Sequence, residues 1–242
     1  MSTVLVTGAN RGIGLGLIKE FLKQSEIRLL LATTRNKQSS KDLISIADSR
    51  LHILEMDVND DKSIAAGVKK VGEIVGSAGL ELLVNNSGIL NSYNSSGPPD
   101  RNAALHHFEV NSVGPLIVTQ NFLPLLRQGV KSSSAGHARV VTISSGLGSL
   151  SLNSGSGPKG FLPYQMSKAA VNQMTRTLSF DFVDENIYFY AFCPGWVQTD
   201  MGGKEAFLTV EQSTAALVNS FKQIGKEQNG GFFKKNLEVI PF

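Results

Sequence analysis

Cysteine is nearly absent: Cys193 stands alone in 242 residues. A single thiol cannot close an internal disulfide, and its isolation fits a reducing compartment. Charge of one sign is also lacking, with 23 Lys plus Arg against 20 Asp plus Glu. No basic run of the kind that tracks phosphate backbones or anionic lipid occurs, which speaks against nucleic-acid and membrane partners. No apolar stretch approaches the roughly 18 residues that a membrane span needs. A β-type pattern begins within a few residues of Met1 and leaves no room for a signal peptide, so a cytoplasmic location is expected. The histidines, at 52, 106, 107 and 137, have no metal-ligand spacing, and no metal is expected. A G-x-S-x-G elbow is missing too, which argues against an α/β-hydrolase.

What is present is an ordinary globular mixture, 41% apolar and 18% charged, enough for a sizeable core. Short β-type runs alternate with longer amphipathic ones. Strands are expected at 3–7, 28–34, 51–57, 81–85, 139–144, 187–193 and 237–240. Helices are expected near 12–24, 38–48, 60–75, 101–127, 163–184 and 210–226. Strands separated by helices read as βαβ units, hence a parallel sheet covered on both faces. No repeat or composition break marks a second domain. The expected architecture is therefore a single-domain, Rossmann-type, doubly wound α/β fold over 1–242, with about seven parallel strands. Gly-, Ser- and Pro-rich stretches at 90–100, 131–137, 149–163 and 228–231 read as loops.

The stretch "VLVTGANRGIG" (4–14) ends an apolar strand in a glycine-rich turn. Gly8, Gly12 and Gly14 have the spacing G-x-x-x-G-x-G. A tight turn from a strand into a helix gathers backbone N–H groups and the positive helix end around an anion, and positions without side chains let a pyrophosphate approach. About 20 residues beyond such glycines, an acid would hold an adenosine ribose 2′-hydroxyl. Here that position is Thr34, followed by Arg35. An acid would repel a 2′-phosphate, whereas Thr34-Arg35 can hydrogen-bond and neutralise one, and Arg11 inside the turn adds a second positive charge. NADPH is expected in preference to NADH.

In "YQMSK" (164–168), Tyr164 and Lys168 are i and i+4, stacked on one face of a helix. A free phenol titrates near pH 10, and an ammonium within a few ångströms can lower that by roughly 1–3, towards useful acid–base chemistry at neutral pH. "TISSGLGS" (142–149) ends a buried-type strand in two hydroxyls, and "LLVNNSG" (82–88) ends one in two amides. Both put polar groups at the carboxyl edge of a parallel sheet, where open α/β folds bind ligands.

Taken in order over almost the whole chain, "TGANRGIG", "NNSG", Asn111 in "FEVNSVGPL", "ISSGLGS", "YQMSK" and "CPGWVQTDM" resemble the motifs of the short-chain dehydrogenase/reductase family. "ATTRN", "SSGLGS" and "PGWVQTDMGG" are most similar to its sniffer-type carbonyl reductases. The resemblance implies roles. Tyr164 gives a proton to a carbonyl oxygen while a nicotinamide delivers hydride to carbon. Lys168 lowers the tyrosine pKa and holds the nicotinamide ribose. Ser145 bonds the substrate oxygen; adjacent Ser144 is its rival, because neighbours on a strand point to opposite faces. The 19-residue interval from Ser145 to Tyr164 is longer than is usual in the family, with the extra length assigned to the 149–163 loop. Asn111 completes the set by holding a relay water. Pro115, four residues on, has no N–H for the Asn111 carbonyl, and the resulting kink frees that carbonyl to bind water.

The resemblance also assigns Thr7, Asn10 and Ile13 to cofactor binding beside the turn's glycines and Arg11. Asp57 and Val58 flank the adenine. Asn85, Ser87 and Gly88 line the cofactor's middle, Ser87 standing where the family usually has alanine. Pro194, Gly195, Val197 and Thr199 shape the nicotinamide site.

The leading expectation is an NADPH-dependent carbonyl reductase of small, fairly apolar aldehydes or ketones. Tyr93, Leu147, Phe161, Trp196 and Phe207 are candidate pocket walls. A dehydrogenase oxidising a secondary alcohol, a non-catalytic redox regulator and a structural interaction protein are the alternatives. Cofactor preference separates the first alternative, intact Asn111, Ser145, Tyr164 and Lys168 speak against the second, and the phosphate turn against the third. Helix 163–184 adds a second apolar stripe (Met166, Ala170, Met174, with Ala169 and Phe180), and the preceding helix is rich in Leu116, Ile117, Phe122, Leu123, Leu125 and Leu126. Helices apolar around most of their circumference are buried on more than one side, so a homodimer, or a homotetramer built from dimers, is expected.

Overall fold

The computed structural model describes residues 2–155 and 159–242. Part of the loop expected over 149–163, residues 156–158, lies outside the described residues. Seven strands form one parallel sheet: β1 (Thr3–Val6), β2 (Leu29–Thr34), β3 (Leu51–Glu55), β4 (Leu82–Asn85), β5 (Ala138–Ile143), β6 (Ile187–Cys193) and β7 (Phe232–Lys234). Their spatial order is β3-β2-β1-β4-β5-β6-β7, and every neighbouring pair is parallel. The order reverses between β1 and β4, which opens a crevice at their carboxyl ends.

Among the described residues the α-helices are α1 (Gly12–Leu22), α2 (Lys41–Ile44), α3 (Asp61–Val75), α4 (Arg101–Phe108), α5 (Gly114–Ser132), α6 (Leu162–Asp181) and α7 (Val210–Gln223), and they cover both faces of this sheet. Central strands of a doubly covered sheet alternate sides yet stay apolar throughout. In β1, Val4 and Val6 join Leu17, Ile18 and Phe21 of α1 and Leu217 and Phe221 of α7. Leu5, between them, joins Ile64 and Val71 of α3 and Val118, Phe122 and Leu126 of α5 on the other face. Local signals start the helices. The Asp60 carboxylate accepts the Lys62 N–H at the head of α3, and Thr209 and Gln212 form a reciprocal capping box at the head of α7.

Three expected elements differ. The helix expected at 38–48 is a single turn, because Asn36, Ser39 and Ser40 spend their polar groups on the local backbone: Ser40 Oγ donates to Asn36 O at 2.7 Å. The helix expected at 101–127 runs on to Ser132 and is broken by a π-helical turn at Glu109–Val113. Pro115, at the start of α5, has no N–H to continue an α-helical ladder there. The last strand is Phe232–Lys234, not 237–240. Leu237 turns the chain at a φ of 66°, and the stretch expected as a strand folds back antiparallel, with Ile240 N–H donating to Phe232 O at 2.8 Å. Among the described residues, no helix is long and apolar enough to cross a membrane, and no group of three or more His, Cys, Asp or Glu is placed to hold a metal.

Candidate active site

A cleft of about 740 Å³ opens at the β1/β4 reversal. Its floor is the glycine turn. Gly14 packs so closely that a Cβ there would lie 2.3 Å from Gly8 O and 2.6 Å from Asn86 Nδ2. Only a residue without a side chain lets the helix approach the strand this way. Asn86 was not foreseen from the sequence; its Nδ2 donates to Thr7 O at 2.8 Å and Gly8 O at 3.1 Å and so pins the turn. The doubled amide in "NNSG" was the available signal. No side chain caps α1: Arg11, at its N-cap, is extended with no side-chain cap bond. The first-turn N–H groups therefore face the cleft, as an anion site requires.

The other expected residues fall into two groups. Gly8, Asn10, Arg11, Gly12, Ile13, Gly14, Thr34, Arg35, Asp57, Val58, Ser87, Gly88, Tyr164, Lys168, Pro194 and Thr199 all line the cleft. Thr7, Asn85, Gly195 and Val197 support its walls from behind or beside. Thr7 Oγ1 accepts the N–H groups of Asn86 (3.0 Å) and Ser87 (3.1 Å), which ties β1 to β4. Asn85 donates to Thr119 Oγ1 at 2.9 Å. Val197 is buried and bridges to Leu208, and a Cβ at Gly195 would meet Leu208 Cδ1 at 2.6 Å. At the end of β2, the Thr34 hydroxyl is engaged with Ser40 Oγ (2.9 Å) and Asn36 O (3.3 Å). Exposed Arg35 stands at the rim, with Asn36, Ser39 and Asp42 beside it. Asn36 and Ser39 belong to the loop after β2, and Asp42 to the single turn of α2.

The acid–base group gathers around the start of α6. Tyr164 and Lys168 are both buried, with Lys168 Nζ 5.8 Å from the Tyr164 ring centre. Burial pushes the Tyr164 phenol up to about 12, and its hydrogen bond with Ser145 pulls the other way. The expected lowering by Lys168 is not found; burial sets the direction. The ammonium is turned towards the end of β5, donating to Ile143 O at 2.8 Å. Burial brings Lys168 itself down to about 8, against a weaker upward pull from Cys193. The two serines are placed differently: Ser144 lines the cleft, is buried and is bonded at 2.6 Å to Asn172 Oδ1, whereas Ser145 is half-buried and hydrogen-bonded to Tyr164.

Asn111 is wholly buried in the π-helical turn. Its side chain clamps Ile89, accepting from the N–H at 2.8 Å and donating to the carbonyl at 2.9 Å, and also donates to Ser167 Oγ at 3.0 Å. A Cβ at Gly88 would lie 3.3 Å from Asn111 Oδ1 and 3.7 Å from Lys168 Nζ, so the three meet behind the tyrosine. Cys193 comes closer than its lone position suggested, accepting the Gly146 N–H at 3.2 Å.

The comparisons agree with this geometry. A family model described as short chain dehydrogenase matches residues 2–206. The proposed carbonyl reductase Sniffer of Caenorhabditis elegans is 44% identical over the full length of both chains, with a TM-score of 0.90. The carbonyl reductase Sniffer of Drosophila melanogaster is 34% identical over the full length of both, with a TM-score of 0.95. An NADPH-bound carbonyl reductase from chicken fatty liver is 33% identical over 100% of this chain and 99% of that one, with a TM-score of 0.93. With a family model over most of its length, a parallel sheet in this strand order and a buried Tyr164–Lys168 pair beside Ser145, the chain belongs to the short-chain dehydrogenase family.

Proposed function

We propose that residues 1–242 form one catalytic unit, an NADPH-dependent carbonyl reductase acting on small, fairly apolar aldehydes or ketones. The observation that carries this reading is a buried, neutral Tyr164 in contact with Ser145 at the edge of the cleft. A phenol held at about 12 is protonated at every physiological pH. It therefore carries the proton that reduction of a carbonyl requires. Bound along the cleft, NADPH supplies the hydride. The N–H groups at the head of α1 receive its pyrophosphate, and Arg35 and Arg11 pair with the 2′-phosphate. The residues present fit the group, because the head of α1 has no side-chain cap and Gly8, Gly12 and Gly14 line the cleft beside it. Ser145 orients the substrate oxygen towards the phenol. Lys168 holds the nicotinamide ribose hydroxyls and stabilises the phenolate left after proton transfer. Asn111, by fixing the π-helical turn against Ile89, holds the carbonyl that carries a relay water.

Trp196 and Phe207, in edge-to-face contact at 4.9 Å, and Met201 offer apolar walls for the substrate. The lone thiol supports a cytoplasmic setting. A homodimer through α5 and α6 is part of the same proposal, supported by exposed Met166 and Phe180.

The test is a panel of small carbonyl compounds followed by NADPH absorbance, with wild type beside Tyr164→Phe. Turnover should fall by at least about a hundredfold in the variant, the scale of lost acid catalysis, while NADPH affinity barely changes. NADPH should bind several-fold tighter than NADH. A variant that keeps most of its activity, or equal affinity for both cofactors, would overturn the corresponding assignment.

A further inference from the structure

The segment joining β6 to α7, residues 194–208, is bonded chiefly to itself. Gln198 N–H donates to Leu208 O (2.8 Å) and Leu208 N–H to Trp196 O (3.1 Å). Gln198 Nε2 donates to Ala206 O (2.9 Å), and Trp196 Nε1 to Gly202 O (2.6 Å). A segment tied this way moves as a flap rather than as a loose chain. Its edge meets the opposite wall of the cleft at two adjacent points. Arg11 Nη1 donates to Asp200 Oδ2 at 2.6 Å across 189 positions of sequence. One residue further along the glycine turn, a Cβ on Gly12 would lie 3.2 Å from Thr199 Cγ2. Arg11, Gly12, Thr199 and Asp200 all line the cleft, so the contact spans its mouth.

We propose that Asp200 is a positioning residue for the dinucleotide. Its ion pair with Arg11 is a strap that holds the flap over the cleft and slows release of the cofactor beneath it. This rests on the functional reading above only in requiring that a dinucleotide binds there. The side chains are 72% and 77% exposed, so salt screens the pair and it opens readily. A strap that must open in every turnover needs that weakness. A guanidinium has five donors and Asp200 engages one nitrogen, so donors remain for a phosphate. A strap across the mouth of the cleft slows release of NADPH and NADH alike, whereas an effect of Asp200 on the 2′-phosphate would be confined to NADPH.

The chain carries its own reporter. Trp196 is the single tryptophan, and it sits in the flap against Phe207. Release of NADPH and of NADH is measured by stopped flow, from Trp196 and reduced-nicotinamide emission, at low and high salt. The proteins are the full chain, Asp200→Asn and Asp200→Glu. Asp200→Asn should release both cofactors roughly two- to fivefold faster at low salt, the scale of an exposed ion pair. The salt dependence of release should shrink with it, and Asp200→Glu should stay near wild type. Unchanged release in Asp200→Asn overturns the strap while leaving the functional reading intact. Selective tightening of NADPH with NADH unaffected also overturns it, because Asp200 would then be a rival of the phosphate for Arg11. A wild type that binds neither cofactor removes the functional reading and the strap together.

Discussion

Tyr164 and Lys168 are one helical turn apart, and what each can do is decided by burial rather than by their pairing. The phenol rises to about 12 and the lysine falls to about 8, burial being the largest cause of both. The lysine shift has a consequence for stability with a definite sign. Its folded pKa lies below the 10.5 of a free lysine side chain. Below pH 8 both folded and unfolded chains hold the proton, and the cost of burying the ammonium is constant. Between pH 8 and 10.5 the unfolded chain still holds a proton that the folded chain has released, so stability rises with pH across this window. Lys168→Met removes that term. Urea midpoints at pH 7 and pH 10 should therefore show wild type gaining on the variant as pH rises. A gap that stays constant would mean that the lysine is not held deprotonated by its surroundings. Tyr164 does not confuse the comparison, because a phenol raised from 10.0 to about 12 affects stability only above pH 10.

At the scale of elements, the turn from β1 into α1 and the π-helical turn before α5 do most to shape the site. In the first, a methyl group at position 14 would press on Gly8 O, Ala9 Cα and Asn86 Nδ2, at 2.3, 2.9 and 2.6 Å. Two of these are backbone atoms of the turn itself and cannot step aside. Gly14→Ala should lower stability by about 1–3 kcal/mol, the usual cost of overpacking, and weaken NADPH binding by at least about tenfold, because it pushes the α1 N-terminus off the phosphate path. Thermal melting and fluorescence titration check this; wild-type values for both would show that the turn yields. In the second, Pro115 interrupts the ladder, and the Asn111 side chain anchors the turn by bonding Ile89 and Ser167. The turn is thus held from outside the helix, by the loop after β4 and by α6.

On the scale of the whole molecule, α5 and α6 are less exposed than their composition suggests. Phe122, Leu123 and Leu126 are buried within the chain, Leu116, Ile117, Leu125 and Met174 are half-buried against the same core, and Ala169 and Ala170 are half-buried. What remains exposed on α6 is Leu162 at its first position, Met166 at 48% and Phe180 at 62%. A two-fold contact using this face brings each residue to its own symmetry mate's helix. Met166→Glu would place two like charges near such a contact and should convert a dimer to monomer with little change in the unfolding midpoint. Sedimentation velocity at micromolar concentration reads the outcome, and a wild-type monomer sinks the proposal.

The strand and helix pattern was legible because a sheet covered on both faces needs runs such as Val4-Leu5-Val6, apolar at every position, separated by helices of one apolar stripe. The glycine turn and the Tyr164–Lys168 pair were legible because their chemistry is carried by local spacing, four residues or fewer. Pro115 announced a broken helix because a missing N–H is a property of one residue. Three-dimensional contact decided the rest. The last strand formed at Phe232–Lys234, beside β6, and the apolar stretch after it folded back, a choice between two similar runs made by packing. Asn86 pins the turn, Ser145 meets the phenol while Ser144 bonds Asn172, and burial raises the Tyr164 pKa. Arg11 and Asp200 meet from opposite ends of the chain. Local spacing sets which groups an element presents, but desolvation and long-range partners exist only once the sheet has brought distant segments together.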